Sequence, residues 1–588
     1  MGERLNAAIR GLAPFDLVLT DVQVVNVFTE EILAMDVAIH DGRFAHLAAA
    51  GTEPMDAVET RCGDGAFLVP GFVDCHLHIE SSMLTPRHFA EAALPHGSTT
   101  VVIDPHELAN VLGMEAVRYM AEAGKDLPMD ILVEVPSSVP AVPGLETSGA
   151  TFGGAEVDEL LQEPNVIGLA EVMDFPGVIR RSPRMQEVLG AAQKHGTVIS
   201  GHAPMVTGRD LSAYLAEGPN SDHETMTAAE VLEKLRAGMV VEARRSSHSE
   251  NISLLAAVLK DLPTLPPNIV FCTDDVLPND LIRRGHMNEV VRSAVAQGIA
   301  PARAIRIAAL HGAQRFRLWD RGAAAPGMRA DFSLVNDLQS FEPHSVYVEG
   351  REVAANGAVT VEFPQRTHAI EERHTVKTTP IRRELFTIPV PPESSSKLRD
   401  GFVAVHGMQI SEIPLLTEHA VIRLPYTNGE LQLPSDEDVA WAAVLERHGR
   451  HGGVGRTVIR GLGLSSGALA TTVAHDSHNL LVVGKSAADM ELAAQTLVNC
   501  GGGAVYCRAG KVVALVELPV GGLMSRLSAW DLAPLLDTLQ QALRDAGIVQ
   551  ADPLMAFLPL SLPVIPEVRI TDKGLVDIVQ QTLYPVYA

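Results

Sequence analysis

A chain of 588 residues with 46% hydrophobic side chains has apolar material for two to four packed units and too much of it for a disordered polymer. Its 72 acidic residues outnumber 46 basic ones, a formal net charge of -26 with no basic block, which disfavours nucleic-acid polymers and anionic membrane surfaces as partners. Apolar runs stop short of the roughly 18 residues a bilayer crossing needs, Met1 to Gly11 lacks a signal-peptide layout, and five scattered cysteines form no CxxC pair. The expectation is a cytoplasmic protein without disulfides or a thiolate zinc site, acting on a small neutral or cationic molecule.

In chain order, short strands are predicted at Leu17 to Val22, Val24 to Val27, Met35 to Ile39 and Phe44 to Ala48, with a turn at Asp41-Gly42. The same character returns at Asp331 to Val335, Ser345 to Glu349 and Val359 to Phe363. Residues 1–70 and 326–370 are therefore expected to pair as one small β-sandwich, with residues 71–325 emerging from it. That middle region alternates strand and helix. Its strands are predicted at Val73 to His78, Ser98 to Asp104, Asp130 to Val135, Val166 to Glu171, Thr197 to His202, a short one before His223, Met239 to Ala243 and Ile269 to Thr273. Helices fall between them, at Leu108 to Ala123, Pro183 to His195, Thr227 to Ala237 and Ser253 to Leu262. Eight such strands suit a closed parallel (β/α)8 TIM barrel, so the fold class is α/β. A linker-like stretch, 371–400, includes Pro391-Pro392-Glu393-Ser394-Ser395-Ser396. Beyond it, 401–588 reads as an α+β unit, with strands such as Phe402 to Val405 and Lys511 to Glu517, and helices near Asp436 to Glu446, Ala487 to Cys500 and Ala529 to Ala546.

The candidates for chemistry gather at predicted strand ends. His76 and His78 are two apart, and residues i and i+2 of a strand share a face, so both imidazoles can approach one metal; a structural pair is the alternative. Glu171 ends the apolar run Ile167 to Ala170, where an uncompensated carboxylate is costly. A metal bridge is expected there, with an arginine partner as the plainer reading. His202 and His223 each look like an ordinary hydrogen-bonded histidine, but at the spacing of successive barrel elements they read as ligands. Of the adjacent Asp274 and Asp275, whose side chains must diverge, Asp274 is expected to touch metal and accept a proton, and Asp275 to support a loop. Asp104 and His106 repeat the i, i+2 spacing on the second strand, with Glu107 next. They serve as ligands, as partners orienting a ligand, or as substrate contacts. The glycine runs match neither GxGxxG nor GxxxxGK[ST] and read as turns. The polar run Ala474-His475-Asp476-Ser477-His478-Asn479 either braces a loop or closes over a substrate.

In order, the segments Val69-Pro70-Gly71-Phe72-Val73-Asp74-Cys75-His76-Leu77-His78-Ile79-Glu80-Ser81, Ile103-Asp104-Pro105-His106-Glu107, Gly168-Leu169-Ala170-Glu171-Val172-Met173, Ser221-Asp222-His223-Glu224 and Thr273-Asp274-Asp275 resemble the amidohydrolase superfamily. With Gly285-His286-Met287-Asn288 and His475-Asp476-Ser477-His478-Asn479, the resemblance narrows to the bacterial adenine deaminases and spans nearly the whole chain. It implies hydrolytic deamination of adenine to hypoxanthine and ammonia by hydroxide generated at two divalent metal ions, manganese, iron or zinc. Glu171 stands where many relatives carry a carboxylated lysine. His76, His78 and Asp274 would hold the more buried ion, and His202 and His223 the more exposed one. His106, Glu80 and Glu107 are the candidates for protonating the base, and Asp476 and His478 would reach the site from 401–588. The alternative within the superfamily is a reaction on a related aminopurine or cyclic amide. Size and charge permit a homodimer. Two departures touch the expected substrate rim: Ser138 replaces an expected cysteine, and Arg245-Ser246-Ser247 lacks an expected glycine.

Overall fold

The computed structural model describes residues 2–390, 400–411, 416–427, 429–434, 437–550, 552–565 and 567–588. Eight parallel strands form the barrel: β1 Phe72–Leu77, β2 Ser98–Ile103, β3 Asp130–Val135, β4 Val166–Val172, β5 Val198–Gly201, β6 Ser221–Asp222, β7 Val240–Arg244 and β8 Ile269–Cys272. Strands β1 to β5 pair in sequence as one arc and β6 to β8 as a second. Two seams close the ring. Asn220 N–H donates to the Ile199 carbonyl at 3.0 Å beside β5 and β6, and Asp274 N–H donates to the His76 carbonyl at 3.0 Å beside β8 and β1. Every residue of β1, β2, β5 and β8 is buried. A parallel sheet covered by helices outside and side chains inside has no wet face, so burial does not alternate along these strands.

Helix signals are local and explicit. In Pro183–His195 the Ser182 side chain accepts from Met185 N–H, proline occupies the first turn, and Gly196 ends the helix at φ 63°. The single helix expected over Leu108 to Ala123 is instead two, His106–Leu112 and Met114–Ala123, because Gly113 adopts φ 65° and ψ -146°, which glycine alone takes without strain. His106 thus opens a helix, and the strand-type i, i+2 relation expected with Asp104 does not hold.

The β segments on either side of the barrel join. Phe67–Pro70 pairs antiparallel with Phe332–Val335, Phe67 opposite Val335 and Pro70 opposite Phe332, within one nine-stranded sheet. Phe15–Asn26 is one strand whose register shifts between Leu19 and Val22, an irregularity that reads in sequence as a break. The strand expected at Val359 to Phe363 is absent from the described elements there. The edge is made by Arg351–Ala355 and Ala358–Val359.

Residues beyond 400 build a second nine-stranded sheet with helices Ala487–Cys500 and Ala529–Asp545. The helix expected near Asp436 to Glu446 is a strand, Val439–Leu445, paired on both sides with Val454–Arg460 and Leu480–Gly484; Asp436 itself lies outside the described residues. All seven residues are buried, and burial of both faces removed the alternation that marks a strand, while three alanines mimic a helix. Phe386 and Ile388 pack into this sheet's core beside Trp441. The Pro391 to Ser396 run lies outside the described residues. One apolar cluster joins barrel residues Leu77, Ile79 and Leu108 to Val473, Val520 and Leu523, so the second sheet packs over the C-terminal mouth of the barrel.

Candidate active site

Six predicted residues meet at the C-terminal end of the barrel, and Glu171 on β4 lies among them. Its Oε1 is 3.5 Å from His78 Nε2 and 4.0 Å from His76 Nε2, while its Oε2 is 2.9 Å from His202 Nδ1 and 3.3 Å from His223 Nε2. Asp274 Oδ1 adds a second oxygen 3.4 Å from His78 Nε2 and 3.9 Å from His76 Nε2. Backbone conformation aims it there: Asp274 adopts φ 59°, a region aspartate tolerates better than most residues. One carboxylate therefore faces two histidine pairs, each oxygen toward one pair.

The arrangement of donors calls for positive charge at its centre. His78 Nδ1 lies 2.8 Å from the Asp104 backbone carbonyl, which only accepts, so Nδ1 bears a proton and Nε2 is the nitrogen that faces two carboxylate oxygens. A lone pair there would face anions in a buried site, so positive charge belongs between ring and carboxylates, as a second ring proton or as a cation. His76 Nε2 is likewise buried without a hydrogen-bond partner. His202 Nδ1 and His223 Nε2 approach within 3.3 Å of each other beside the same Glu171 oxygen. Burial alone would raise the Glu171 carboxyl, yet the imidazoles of His202 and His223 hold it well below the ordinary carboxylate range. Burial would lower His78, but Asp274 and further carboxylates push it well above the ordinary imidazole value. Nitrogen and carboxylate donors without thiolate make this buried cluster a site for two divalent cations.

Charged residues that sequence reasoning passed over fix these groups. Arg244, ending β7, contacts Asp274 Oδ2 through Nη1 and grips Glu224 with both nitrogens, at 2.5 and 2.8 Å. Burial would lower Asp274's partner guanidinium, but the two carboxylates offset it, and burial would raise Asp274, but Arg244 together with His78, His223 and His76 holds it well below the carboxylate range. Fully buried Lys234 donates to Asp222 Oδ2 at 2.9 Å, to Glu230 at 2.5 Å and to the Ala203 carbonyl at 2.6 Å. It thereby ties the residues after His202 to the one before His223. Asp74 accepts from Thr273 N–H at 3.1 Å and Thr273 Oγ1 at 2.5 Å, with His286 Nε2 at 3.4 Å, linking β1 to the end of β8. The signal for Arg244 and Asp74 was present in the sequence: each is a charge within a short barrel strand, Arg244 beside Glu242 in Val240–Arg244 and Asp74 beside His76 in Phe72–Leu77.

The remaining predicted residues line a second, polar wall. His106 Nδ1 is 3.2 Å from Asp104 Oδ2 and 3.8 Å from Glu171 Oε1, and its Nε2 is 3.8 Å from Asp476 Oδ1. Burial would lower His106, but Asp104 and Asp476 raise it well above the ordinary imidazole range. His478 is fully buried with neither ring nitrogen partnered, and its Nε2 lies 3.7 Å from Glu107 Oε2. Ser81 Oγ reaches both Glu107, at 2.7 Å, and Asp275, at 2.6 Å. The Asp275 carboxylate also acts on His78, helping to raise its imidazole. Burial and the nearby Glu107 push the Glu80 carboxyl up to about 8. Ser138 bears on this wall through its carbonyl, which accepts from Asn110 at 3.1 Å on the helix carrying His106 and Glu107.

Residues 67–353 match the amidohydrolase family model, and residues 414–582 match the adenine deaminase C-terminal domain. The chain is similar to an adenine deaminase of Moorella thermoacetica, 40% identical over 98% of this chain and 96% of that one. It is also similar to adenine deaminases of Desulfatibacillum aliphaticivorans, 40% identical over 98% of both chains, and Methanothrix thermoacetophila, 38% identical over 98% of both. No helix among the described residues is long and apolar enough to cross a membrane. With its six converging side chains, its barrel and its C-terminal unit, this chain belongs to the adenine deaminase family and is a metal-dependent amidohydrolase.

Proposed function

We propose that this chain hydrolyses adenine to hypoxanthine and ammonia, with barrel residues 71–325 performing the chemistry and 401–588 closing the site over the base. The observation that carries the reading is the division of Glu171 between two histidine pairs. His76, His78 and Asp274 would hold one cation and His202 and His223 the other, with the Glu171 carboxylate shared between the two groups. Manganese, iron and zinc all suit this donor set. When bound, the two cations supply Lewis acidity and bring the pKa of a water molecule toward neutrality.

The chain's own residues handle the protons. Asp274, kept ionised by Arg244, is ready to accept the proton that water releases as its oxygen bonds to C6. His106, kept protonated by Asp104 and Asp476, donates toward the base so that the C6–N bond breaks with ammonia as the leaving group. Glu80, neutral near pH 7, is the second proton-bearing group on that wall. Glu107 and His478 bring unpartnered polar atoms to the same place, and a purine edge with both donors and acceptors meets that demand. The 475–479 segment excludes bulk water. Size and charge permit a homodimer, and sedimentation that finds only monomer at every concentration removes it.

Metal-loaded protein given adenine, guanine, adenosine and a cyclic imide tests the proposal by following ammonia release and ring opening. Adenine is expected to be the preferred substrate by kcat/KM. Preference for another base, or ring opening of the imide, overturns it.

A further inference from the structure

Away from the barrel's histidines, a cavity of about 310 Å³ opens between segment 373–377, the turn 448–450 and the end of helix His106–Leu112. In a chain of net charge -26, its wall gathers Arg373, Lys377 and Arg450, together with Thr375 and His448, and contains no carboxylate. These cations have weak claims on their charge. Arg373 contacts Glu115, a carboxylate 58% exposed, and Arg450 contacts the neutral carbonyl of Gly149. Among the described residues the Lys377 ammonium has no hydrogen-bond or ion-pair partner, although its backbone N–H donates to Arg447.

Behind this wall lies an uncompensated charge. Arg447 is fully buried, and all its partners are neutral: the carbonyls of His478 and Gly521 and the Thr375 hydroxyl, the last at 3.2 Å. Its Nη2 has no partner. The neighbouring Glu446 does not serve, because its carboxylate is taken up by the backbone N–H groups of His448, Arg450, His451 and Gly452. Burial draws the Arg447 guanidinium down to about 9, as expected for a buried cation without a counter-charge. Thr375 both lines the cavity and touches Arg447, so an anion in the cavity is one side chain from that charge.

We propose that this cavity is a binding site for a phosphoryl anion, held by Lys377, Arg373 and Arg450 with the Thr375 hydroxyl between it and Arg447. Paired forks and point charges of this kind suit a tetrahedral oxyanion. The site adjoins the active-site wall, since Arg447 and His448 hold the carbonyls of His478 and Ser477. Two sources share the chemistry: free phosphate, and the phosphomonoester of a sugar phosphate, for which the cavity has room.

Isothermal titration of the metal-loaded full chain with inorganic phosphate and, separately, ribose 5-phosphate, at constant ionic strength, tests the site. Wild type is expected to bind one anion per chain, Lys377→Glu to bind roughly tenfold more weakly, and Lys377→Glu/Arg450→Glu not to saturate. Tighter binding of ribose 5-phosphate than of phosphate names the sugar phosphate as occupant; the reverse names free phosphate. Absence of saturable binding by wild type overturns the proposal. So does equal affinity in wild type and Lys377→Glu, which would place the anion elsewhere, including at the metals. Lys377 is exposed and its ammonium supports no other side chain, so the single variant remains informative if the double variant fails to fold.

Discussion

Arg244 holds Asp274 by its Oδ2, leaving Oδ1 3.4 Å from the Nε2 of His78. The carboxylate that must face the metal side is thus oriented by a guanidinium on the neighbouring strand, itself clamped by Glu224. Lysine offers one point charge and cannot hold Asp274 and both oxygens of Glu224 in a fixed plane. Arg244→Lys should lower kcat by roughly 10- to 100-fold with metal content nearly unchanged, as for other partners that orient a ligand. Steady-state kinetics with metal analysis decide it; wild-type kcat in Arg244→Lys would assign this fork to stability alone.

Glu171→Gln removes one of the oxygens shared between the two histidine pairs and replaces it with an amide nitrogen that metals avoid. Metal content should fall by about one ion per chain, and turnover with it, by roughly two orders of magnitude or more. A variant retaining both ions and wild-type turnover would take the bridge away from Glu171.

The wall formed by the C-terminal unit makes a different prediction. His478→Asn and Asp476→Asn should each reduce kcat/KM for adenine by about 10- to 100-fold while metal stoichiometry and helicity stay at wild-type levels, because neither residue contacts the histidine cluster around Glu171. Unchanged kinetics in both would return the segment to a bracing role.

Glu146 lies under that segment, 3% exposed, accepting from Val142 N–H at 2.9 Å through one oxygen while the other has no partner. Burial pushes its carboxyl up to about 8 from an ordinary 4.5. Below the lower value both folded and unfolded chains hold the proton; between the two values only the folded chain does, so stability falls as pH rises through that window. Glu146→Gln lacks this penalty. Its Tm relative to wild type should therefore climb steadily from pH 5 to pH 8, and a difference independent of pH would show that Glu146 does not carry a raised pKa.

The histidines and carboxylates of the metal site were legible in the sequence because parallel barrel strands are short apolar runs, and a polar residue ending one stands out. His76, His78, Glu171, His202 and Asp274 are of that kind, whereas His223 follows the polar pair Ser221-Asp222 and stood out only by its spacing from the others; strands such as Asp130–Val135 fall at their predicted bounds. Local rules also sufficed for Pro183–His195, whose proline, serine cap and terminal glycine sit beside it in sequence. They failed for Val439–Leu445, where burial on both faces erased the alternation that distinguishes a strand. Contacts across long stretches of sequence were decided only in three dimensions: Arg244 against Asp274, His106 against Asp476, and Arg447 alone behind its cationic cavity. No spacing along the chain encodes them, because which charges meet depends on where β7, β8 and the C-terminal sheet come to rest, and packing sets that only after each element has formed.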